Sequence, residues 1–290
     1  MTNRLELNWK VDGFVDEQRY YCSEMPIDPE NLPSPKAVLV GDVRTYVDTD
    51  IEVGKTYYIR VGAVKNGVEK ISGENYVTAV IDPNWSNVVS YLRFNNNFND
   101  EKGRIWTAAG GATITSDAKY GGGALNLQQS GSHLSTPTSS DFYLDGDFTI
   151  EFFSKIAPIS INFAEGIWLA CGESSWGQNA AYLAFDKTRM YIGDYSGSAN
   201  FNTQISNNFL HYCFMRKSGV IYAFKDGVLI GSVALNRAFK FNSGGTFIGG
   251  AGWSQQSTMI GIIDEMRITK SVARYDTTGF APPTSQFPNS

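Results

Sequence analysis

The chain has 290 residues with 24 Lys or Arg against 29 Asp or Glu, which gives a net charge of −5 at pH 7. This acidic balance offers no cluster of cations for a phosphate backbone, so we exclude nucleic acid as a partner. No stretch approaches the roughly 18 uninterrupted apolar residues of a transmembrane helix, and the start MTNRLELNWK lacks the apolar core of a secretory signal peptide. We therefore expect neither membrane insertion nor a signal peptide.

The composition predicts an all-β fold in two domains. A charged fraction of 18%, an aromatic fraction of 13% and 29 glycines are typical of short strands separated by tight turns. The length favours two domains, because single domains most often contain about 100 to 200 residues. The cysteines, Cys22, Cys171 and Cys213, are odd in number and fall in both predicted domains, so we do not expect a disulfide framework.

Residues 1–82 show the period-two alternation of half-buried strands. The segment LELNWK places Leu5, Leu7 and Trp9 on one face of a strand. Turn signals at 52–55 and at Asn66-Gly67 predict two hairpins. This first domain is predicted to be a small β-sandwich.

The same segment resembles a fibronectin type III domain. The resemblance rests on Trp9 in the early strand, Asp48-Thr49 ahead of the Gly54-Lys55 turn, and the strand YYIRVGAV at 57–64. In that family a tyrosine at the start of this strand hydrogen-bonds back to the preceding corner, and Tyr57 holds the matching position. Few residues precede Leu5, so we expect the family's first strand to be short, missing or donated from elsewhere.

Residues 83–87 are predicted to be a short linker, because they lie in a polar, proline-containing segment too brief for a flexible tether. We expect its Trp85 to pack between the two domains.

Residues 88–290 contain many more short apolar runs than a seven-strand sandwich needs, which predicts the two stacked sheets of a jelly roll. Asp226-Gly227, between two alternating runs, predicts a hairpin that fixes the register of its strands.

This second domain resembles concanavalin A-like, laminin G-like domains over nearly all of its length. The resemblance rests on YLRF followed by NDEKG at 99–103, on KYGGGALNL at 119–127, DFTIEFF at 147–153, HYCFMR at 211–216 and YAFKDG at 222–227. The ending GIIDEMRITKSVARY, running into FAPP, is similar to the subtype found in bacteriophage tail and prophage proteins. That subtype implies a virion surface or fibre component, located in the virion or, before assembly, in the cytoplasm of a lysogenic host.

The residues that catalysis would require are few, so we do not expect an enzyme. Retaining laminarinase-type glycosidases of this fold need two carboxylates about 5 Å apart, whereas the strand FTIEFFSK offers only Glu151. Strand alternation would send Asp264 and Glu265 to opposite faces. The sequence has only two histidines, His133 and His211, which are too few to favour a histidine-based zinc site or a Ser-His-Asp triad. We expect a structural role for His211, whereas the sequence leaves His133 undecided between surface and site.

The resemblance also implies one structural calcium ion, held between an early Asn/Asp loop and a late acidic strand, because calcium takes six to eight oxygen ligands. The matching positions are Asn97, Asn99, Asp100 and Asp264. The alternative is that these side chains shape their own turn by bonding the local backbone.

Two tryptophans stand in polar loops with no apolar neighbour in sequence, Trp176 and Trp253. An exposed indole offers a flat face for a sugar ring, and the flanking amides of Gln178, Asn179 and Gln255 could orient its hydroxyl groups. The alternative is that both indoles cap the sandwich ends or pack against the first domain or another subunit.

These observations support a leading hypothesis and two alternatives. The leading one is a non-catalytic phage or prophage tail protein that binds host-surface carbohydrate, beside other tail subunits and in several copies or as a homo-oligomer. The first alternative is a structural virion module that makes only protein contacts. The second, a glycan-degrading enzyme, is disfavoured by the missing carboxylate pair.

Overall fold

Antiparallel strands joined by tight turns build the whole fold, as the composition predicted. The structure is a computed structural model that describes residues 4–52, 54–128, 131–156, 166–175, 177, 180–253 and 259–289. The residues group into two compact units, Met1–Asp82 and Pro83–Asn289. In the described part of the chain, the helices are two short 3-10 turns, Trp85–Asn87 and Ser140–Phe142, and no helix there is long and apolar enough to cross a membrane. The all-β fold is confirmed.

The first unit contains two sheets. Its strands are β1 (Leu5–Asn8), β2 (Glu17–Ser23), β3 (Ala37–Val40), β4 (Thr45–Asp48), β5 (Thr56–Lys65), β6 (Val68–Ile71) and β7 (Asn75–Thr78). Among the described residues β1 pairs with β4, while a five-stranded sheet has the order β3-β2-β5-β6 with β7 also on β5. The buried core includes Tyr20, Tyr57, Ile59 and Val64.

Turns in the first unit follow the sequence signals in part. The hairpin at Asn66-Gly67 is confirmed: both residues have positive φ, 51° and 76°, and they join β5 to β6. The hairpin predicted at 52–55 is wrong, because β4 pairs with β1 whereas β5 pairs with β2, β6 and β7. A turn sequence marks a change of chain direction but does not determine which strands pair. Here the chain passes from the sheet of β4 to the sheet of β5. The predicted contact of Tyr57 is present, since its hydroxyl accepts a 2.8 Å hydrogen bond from the Glu52 N–H.

The second unit is a sandwich of two large sheets. Its strands are β8 (Val88–Leu92), β9 (Thr107–Ala109), β10 (Thr113–Thr115), β11 (Ala124–Leu127), β12 (His133–Thr136), β13 (Tyr143–Leu144), β14 (Phe148–Ile156), β15 (Gly166–Cys171), β16 (Tyr182–Phe185), β17 (Arg189–Asp194), β18 (Gly197–Asn202), β19 (Leu210–Lys217), β20 (Val220–Lys225), β21 (Val228–Ala234), β22 (Phe239–Lys240), β23 (Thr246–Ile248) and β24 (Gly261–Lys270). Fifteen of the described strands form an eight-stranded sheet, β10-β11-β24-β14-β19-β20-β21 with β8 on β24, and a seven-stranded sheet, β18-β17-β16-β15-β23-β12-β9, while β13 and β22 form a separate pair. The Asp226-Gly227 hairpin joins β20 to β21 as predicted.

The main core fills the space between these two sheets. Alternate residues of both sheets meet there, among them Phe152 and Phe214 from one sheet and Trp168 and Leu183 from the other, all fully buried. None of the three cysteines, which all lie in described segments, forms a disulfide bond. Apolar burial therefore holds the sandwich together.

The outer face of the eight-stranded sheet is covered by residues 271–289, which we call the C-terminal strap. Its Phe287 joins a cluster with Trp85, Tyr91 and Phe153, and its Phe280 packs near Cys213, Met215 and Phe224 in another, beside Tyr275. Trp85 therefore packs within the second unit, as part of a 3-10 turn rather than a linker. Because both faces of these strands are buried, one in the main core and one under the C-terminal strap, their sequences are almost continuously apolar.

A bulge in β24 corrects the expected placement of Asp264 and Glu265. Glu265 has a φ of 52°, and the pairing with β14 shifts register at this point. Asp264 accepts hydrogen bonds from the backbone of Lys119 and Tyr120, and Glu265 accepts them from the Tyr91 hydroxyl and the Phe287 N–H. Tyr120, Tyr91 and Phe287 belong to one cluster on the outer face, so the two carboxylates are not sent to opposite faces.

Candidate functional site: the outer face of the seven-stranded sheet

The outer face of the seven-stranded sheet carries aromatic side chains that the main core does not use. In β16 and β17 the residues Leu183, Met190 and Ile192 point into the core, so alternation places Tyr182 and Tyr191 on the opposite face. These two tyrosines pack together in a separate cluster, completed by the side chains of Ile167, Ala170, Ala184 and Ala251. We call this group the tyrosine cluster.

Small residues beside the tyrosines give the cluster its shape. The Tyr182 and Tyr191 rings meet edge to face, with centroids 5.8 Å apart and planes at 79°. Tyr182 lies opposite Gly193 in the register, and a Cβ at that glycine would approach the Tyr182 hydroxyl to 2.8 Å. Ala184 lies opposite Tyr191. The small residues opposite them leave room for the two rings to pack edge to face on the sheet.

The strand register extends the cluster into a row that crosses six strands. Side by side from β12 to β18 lie Ser135, Phe247, Ala170, Tyr182, Gly193 and Ser198. Five interstrand spacings of ~4.8 Å give this row a length of about 24 Å. Such a length suits an extended ligand better than a single small molecule.

Polar groups border the tyrosine cluster on the β18 side. The Arg189 guanidinium lies over the Tyr191 ring, 5.1 Å from its centroid, and donates a 3.2 Å hydrogen bond to the Asn200 side chain. It also forms a 2.6 Å ion pair with Asp186. Arginine and asparagine donors next to an aromatic surface are the groups that orient polar ligands.

Trp253 lies half-buried on the tyrosine cluster. Tyr182 and Tyr191 are themselves only 8% and 6% exposed, so Trp253 is the member of this group that a ligand could reach most directly. One side of this indole packs on the sheet, and the rest stays accessible.

The segments that carry Trp253 and Trp176 leave the sheet side by side. The Gly252 N–H donates a 3.3 Å hydrogen bond to the Cys171 carbonyl, and the Gly172 N–H donates to the carbonyls of Ser243 and Gly245. A Cβ on Gly252 would approach the Gly172 carbonyl carbon to 2.3 Å, so only glycine permits this spacing. The structure therefore brings together the bases of the two tryptophan loops.

Four of the proposed ligand-binding residues, Trp176, Gln178, Asn179 and Gln255, lie outside the described residues. Their roles stay predictions.

Tyr182, Tyr191 and Phe247 were not predicted from the sequence as site residues, and His133 was undecided. His133 stacks on Phe247 with ring centroids 5.0 Å apart, and its Nδ1 lies 2.8 Å from the Gly131 carbonyl oxygen. Strand alternation could have identified the tyrosines from the sequence. Tyr182 lies next to the apolar Leu183 in YLAF, and Tyr191 lies between the apolar Met190 and Ile192 in RMYIGD, so each tyrosine faces away from its apolar neighbours.

The isolated carboxylate Glu151 lies at the centre of a buried ionic cluster under the C-terminal strap. Its Oε1 accepts hydrogen bonds from Arg267 at 2.8 and 3.0 Å, its Oε2 accepts one from the Tyr275 hydroxyl at 2.6 Å, and His211 Nε2 lies 3.3 Å away. Burial opposes ionisation, but Arg267, His211 and Arg274 together outweigh it and hold the pKa of Glu151 well below its ordinary range. Glu151 and His211, both fully buried, are thus parts of a structural ion cluster.

Asp264 and Glu265 are fully buried too. Burial raises the pKa of Asp264 to about 7, against an opposing hydrogen bond from the Tyr120 N–H, and the neighbouring charge of Glu265 adds to the rise. Burial also raises the pKa of Glu265. A raised pKa is typical of a general acid, but both carboxyls are closed off by groups of the protein.

Three of the four predicted calcium ligands, Asn97, Asp100 and Asp264, do not fit a calcium ion as they are arranged. The Asp100 carboxylate accepts hydrogen bonds from the Ser90 hydroxyl, the Tyr91 and Lys102 N–H groups and the Trp106 indole. The Asp264 carboxylate accepts three backbone N–H groups, and Asn97 Oδ1 accepts the Asn99 N–H. Calcium needs free oxygens, whereas these are bonded to protein donors. No group of three or more His, Cys, Asp or Glu suited to a metal occurs among the described residues.

The second unit is thus a two-sheet sandwich whose seven-stranded sheet presents an aromatic face on its outer side. The chain belongs to the concanavalin A-like lectin/glucanases superfamily, whose family model matches residues 128–274.

Solved structures share this fold at low identity. The binding domain of Paraclostridial Mosquitocidal Protein 1 is 14% identical, with a TM-score of 0.52 over 66% of this chain and 50% of that chain. The botulinum neurotoxin serotype D binding domain is 14% identical, with a TM-score of 0.51 over 65% and 49%. Domain 4 of AbnA, a GH43 extracellular arabinanase from Geobacillus stearothermophilus, is 16% identical, with a TM-score of 0.50 over 65% and 94%. The match spans about half the length of the two toxin domains, and the likeness shows the fold alone.

A comparison with curated proteins found no match.

Proposed function

We propose that the second unit binds carbohydrate, without catalysis, on the outer face of its seven-stranded sheet. The observation that carries this proposal is Trp253, a half-buried indole held on the tyrosine cluster beside the loop that contains Trp176. A fixed aromatic surface stacks on the apolar face of a sugar ring at low entropic cost, because the side chain is already ordered.

The neighbouring polar groups suit the same ligand. Arg189 and Asn200 supply donors and an acceptor at one side of the aromatic surface, and Ser198 and Ser135 supply hydroxyl groups at the two ends of the six-strand row. Sugars offer hydroxyl groups to such partners. The structurally similar domain of the arabinanase AbnA was solved in complex with arabinotriose, which supports an oligosaccharide as the ligand class.

The proposal of a non-catalytic role draws support from the described carboxylates. Glu151 is fixed in ion pairs with a lowered pKa, which prevents its use as a general acid. Asp264 and Glu265, although their pKa values are raised, have no exposed surface.

We further propose that the ligand is a glycan of a bacterial host surface and that the chain serves in a phage or prophage tail. The similarity of the segment 261–275 to that subtype motivates this step. Single lectin sites bind weakly, so display in several copies would raise the effective affinity by about 10² to 10⁴.

A structural role within the virion has separate support in the first unit. The edge strand β3 exposes Val38 and Val40, at 57% and 67%, and Phe14 is 90% exposed. Exposed apolar side chains on an edge strand favour contact with another protein. This role would use the first unit and leaves the sugar site of the second unit unaffected.

The test is a glycan array with the fluorescent full chain, repeated with the variants Trp253→Ala, Trp253→Phe and Tyr76→Ala. We expect Trp253→Ala to weaken binding at least about tenfold, or ~1.4 kcal/mol, and Trp253→Phe to weaken it less because a flat ring remains. Tyr76 is an exposed aromatic of the first unit, so Tyr76→Ala should bind as the unchanged chain does. Silence on an array that includes bacterial polysaccharides, or equal binding by Trp253→Ala, would refute the sugar site.

A further inference from the structure

The first unit contains an apolar groove beside an unpaired strand edge. The groove has a volume of about 450 Å³. Leu7 and Trp9 line it from the β1 side, and Ile59, Val61 and Ile71 line it from β5 and β6. Leu7 and Trp9 are half-buried although they are the inward-facing residues of their strand. The core of the first unit is therefore unfilled at this place.

The edge of β1 next to the groove offers hydrogen-bonding groups. Among the described residues β1 pairs with β4 alone. The Trp9 N–H donates to the Arg44 carbonyl, and Trp9 lies opposite Arg44 when the β1–β4 register is continued by one pair. In an antiparallel pair alternate residues point their backbone groups the same way, so those of Glu6 and Asn8 face away from β4. An added strand would find two N–H donors and two carbonyl acceptors there.

Charge at the rim of the groove indicates which strand would fit. Lys10 and Lys70 line the groove, are exposed, and have no ion-pair partner in the described part of the chain. The acid at the rim, Glu6, is engaged with Arg4 at 2.8 Å. The rim therefore presents two uncompensated positive charges.

We propose that the first unit is completed by a strand donated from a different polypeptide, rather than from a second copy of this chain. The donated segment pairs with the Glu6 and Asn8 edge of β1, inserts alternate apolar side chains between Trp9 and Ile59, and presents Asp or Glu to Lys10 and Lys70. Strand addition of this kind takes its affinity from main-chain hydrogen bonds and its specificity from the pockets for alternate side chains. This proposal stands independently of the sugar site.

The test uses the full chain and a fluorescein-labelled peptide of about six residues, the usual strand length, in which valine alternates with aspartate. A matched peptide carries N-methyl groups on the amides that would face β1, which removes hydrogen bonds but keeps every side chain. We expect fluorescence anisotropy to report binding of the first peptide, about tenfold weaker binding of the second, and slower hydrogen exchange at the Glu6 and Asn8 amides in the complex.

Two variants of the chain sharpen the test. Val61→Phe fills the groove and should abolish binding without lowering the melting temperature. Because a larger side chain can disturb folding, the double variant Lys10→Glu/Lys70→Glu serves as a second probe. It should reject the aspartate peptide and accept one with lysine in place of aspartate.

Equal binding of the two peptides, binding by Val61→Phe, or no binding of any peptide would overturn the proposal. Concentration-dependent dimerisation of the chain that protects Glu6 and Asn8 would also overturn it, in favour of a second copy at this edge.

Discussion

At the residue scale, the most consequential contact is the buried pair of Glu151 and Arg267. Both side chains lie under the C-terminal strap, and the carboxylate accepts two hydrogen bonds from the guanidinium. Removal of one partner from a buried ion pair leaves an uncompensated charge, which costs about 3 to 5 kcal/mol.

We expect Arg267→Met to lower the free energy of unfolding by about 3 to 5 kcal/mol, as measured by urea denaturation. A matched control is Arg189→Met. This residue forms an ion pair with Asp186 at the surface, and such pairs contribute only about 0 to 1 kcal/mol. A loss below 1 kcal/mol for Arg267→Met would show that the buried ion pair does not contribute this much to the free energy of unfolding.

The same cluster predicts a pH dependence. Glu151 has a lower pKa in the folded chain than the value of about 4.3 in an unfolded chain, so its ionised form stabilises the fold above that pH. This contribution is lost as the pH falls below about 4.3. Comparison of the chain with Glu151→Gln by urea denaturation should therefore give a stability difference that is constant near neutral pH and shrinks in acid. A difference that persists unchanged at pH 3 would contradict the assigned pKa.

The calcium prediction belongs to this scale too. Because the oxygens of Asp100 and Asp264 already accept protein hydrogen bonds, we expect neither calcium nor a chelator to shift the melting temperature. A rise with calcium but not with magnesium would show that the ion displaces these donors.

What the sequence could predict at this scale depended on strict alternation. Alternation along the strand FTIEFFSK accounts for the position of Phe152 in the core. It misplaced Asp264 and Glu265, because a single residue with positive φ in β24 breaks the alternation, and no turn residue announces that bulge. Tyr182 and Tyr191 were within reach of the same argument, whereas the closeness of Gly172 and Gly252 required the three-dimensional register.

At the element scale, two tight connections position the candidate sugar site. Gly172 follows β15 and approaches the Gly244 carbonyl so closely that a Cβ would lie 2.2 Å from its oxygen. Gly252, at the base of the Trp253 loop, in turn approaches the Gly172 carbonyl and donates a hydrogen bond to the Cys171 carbonyl, which holds the bases of the two tryptophan loops together.

We expect Gly252→Ala to separate these loops, because its Cβ would lie 2.3 Å from the Gly172 carbonyl, and to weaken glycan binding more than it lowers the melting temperature. The control is Gly177→Ala, in the Trp176 loop, where a Cβ would meet nothing within 4 Å. Equal glycan binding by both variants would show that the close approach of the two loop bases does not determine the geometry of the sugar site.

Hairpin signals show why elements were predicted better than their partners. Asn66-Gly67 and Asp226-Gly227 are two-residue turns between strands that pair, since positive φ at both positions matches the strand twist. The turn signal at 52–55 also contains a glycine, but the strands on either side of it, β4 and β5, belong to different sheets. Local turn chemistry fixes a change of direction, whereas pairing depends on distant strands.

At the scale of the whole molecule, the composition was sufficient to predict an all-β chain, and the number of strands was sufficient to predict a two-sheet sandwich. Neither observation could identify the C-terminal strap, because its segment 271–289 has no regular strand and covers the sheet through separate aromatic contacts such as those of Phe280 and Phe287.

Multivalent display gives a prediction for the whole molecule. We expect a multivalent glycan to stay bound about 10² to 10⁴ times longer to a surface that carries the chain at high density than to one that carries it at low density, where each glycan meets a single chain. The comparison is made by surface plasmon resonance at two immobilisation densities, with Trp253→Ala as the control. Equal retention at both densities would argue against a role that depends on several copies.

The position of β24 also sets the order in which the protein forms during synthesis. β24 pairs with β8, β11 and β14, yet it is the last strand of the second unit to leave the ribosome. The first unit has all of its described strands before residue 82 and can fold while translation continues. The second unit cannot complete the sheet around the apolar strand β14 until residues 261–270 have been synthesised, so β14 is exposed to aggregation during that interval.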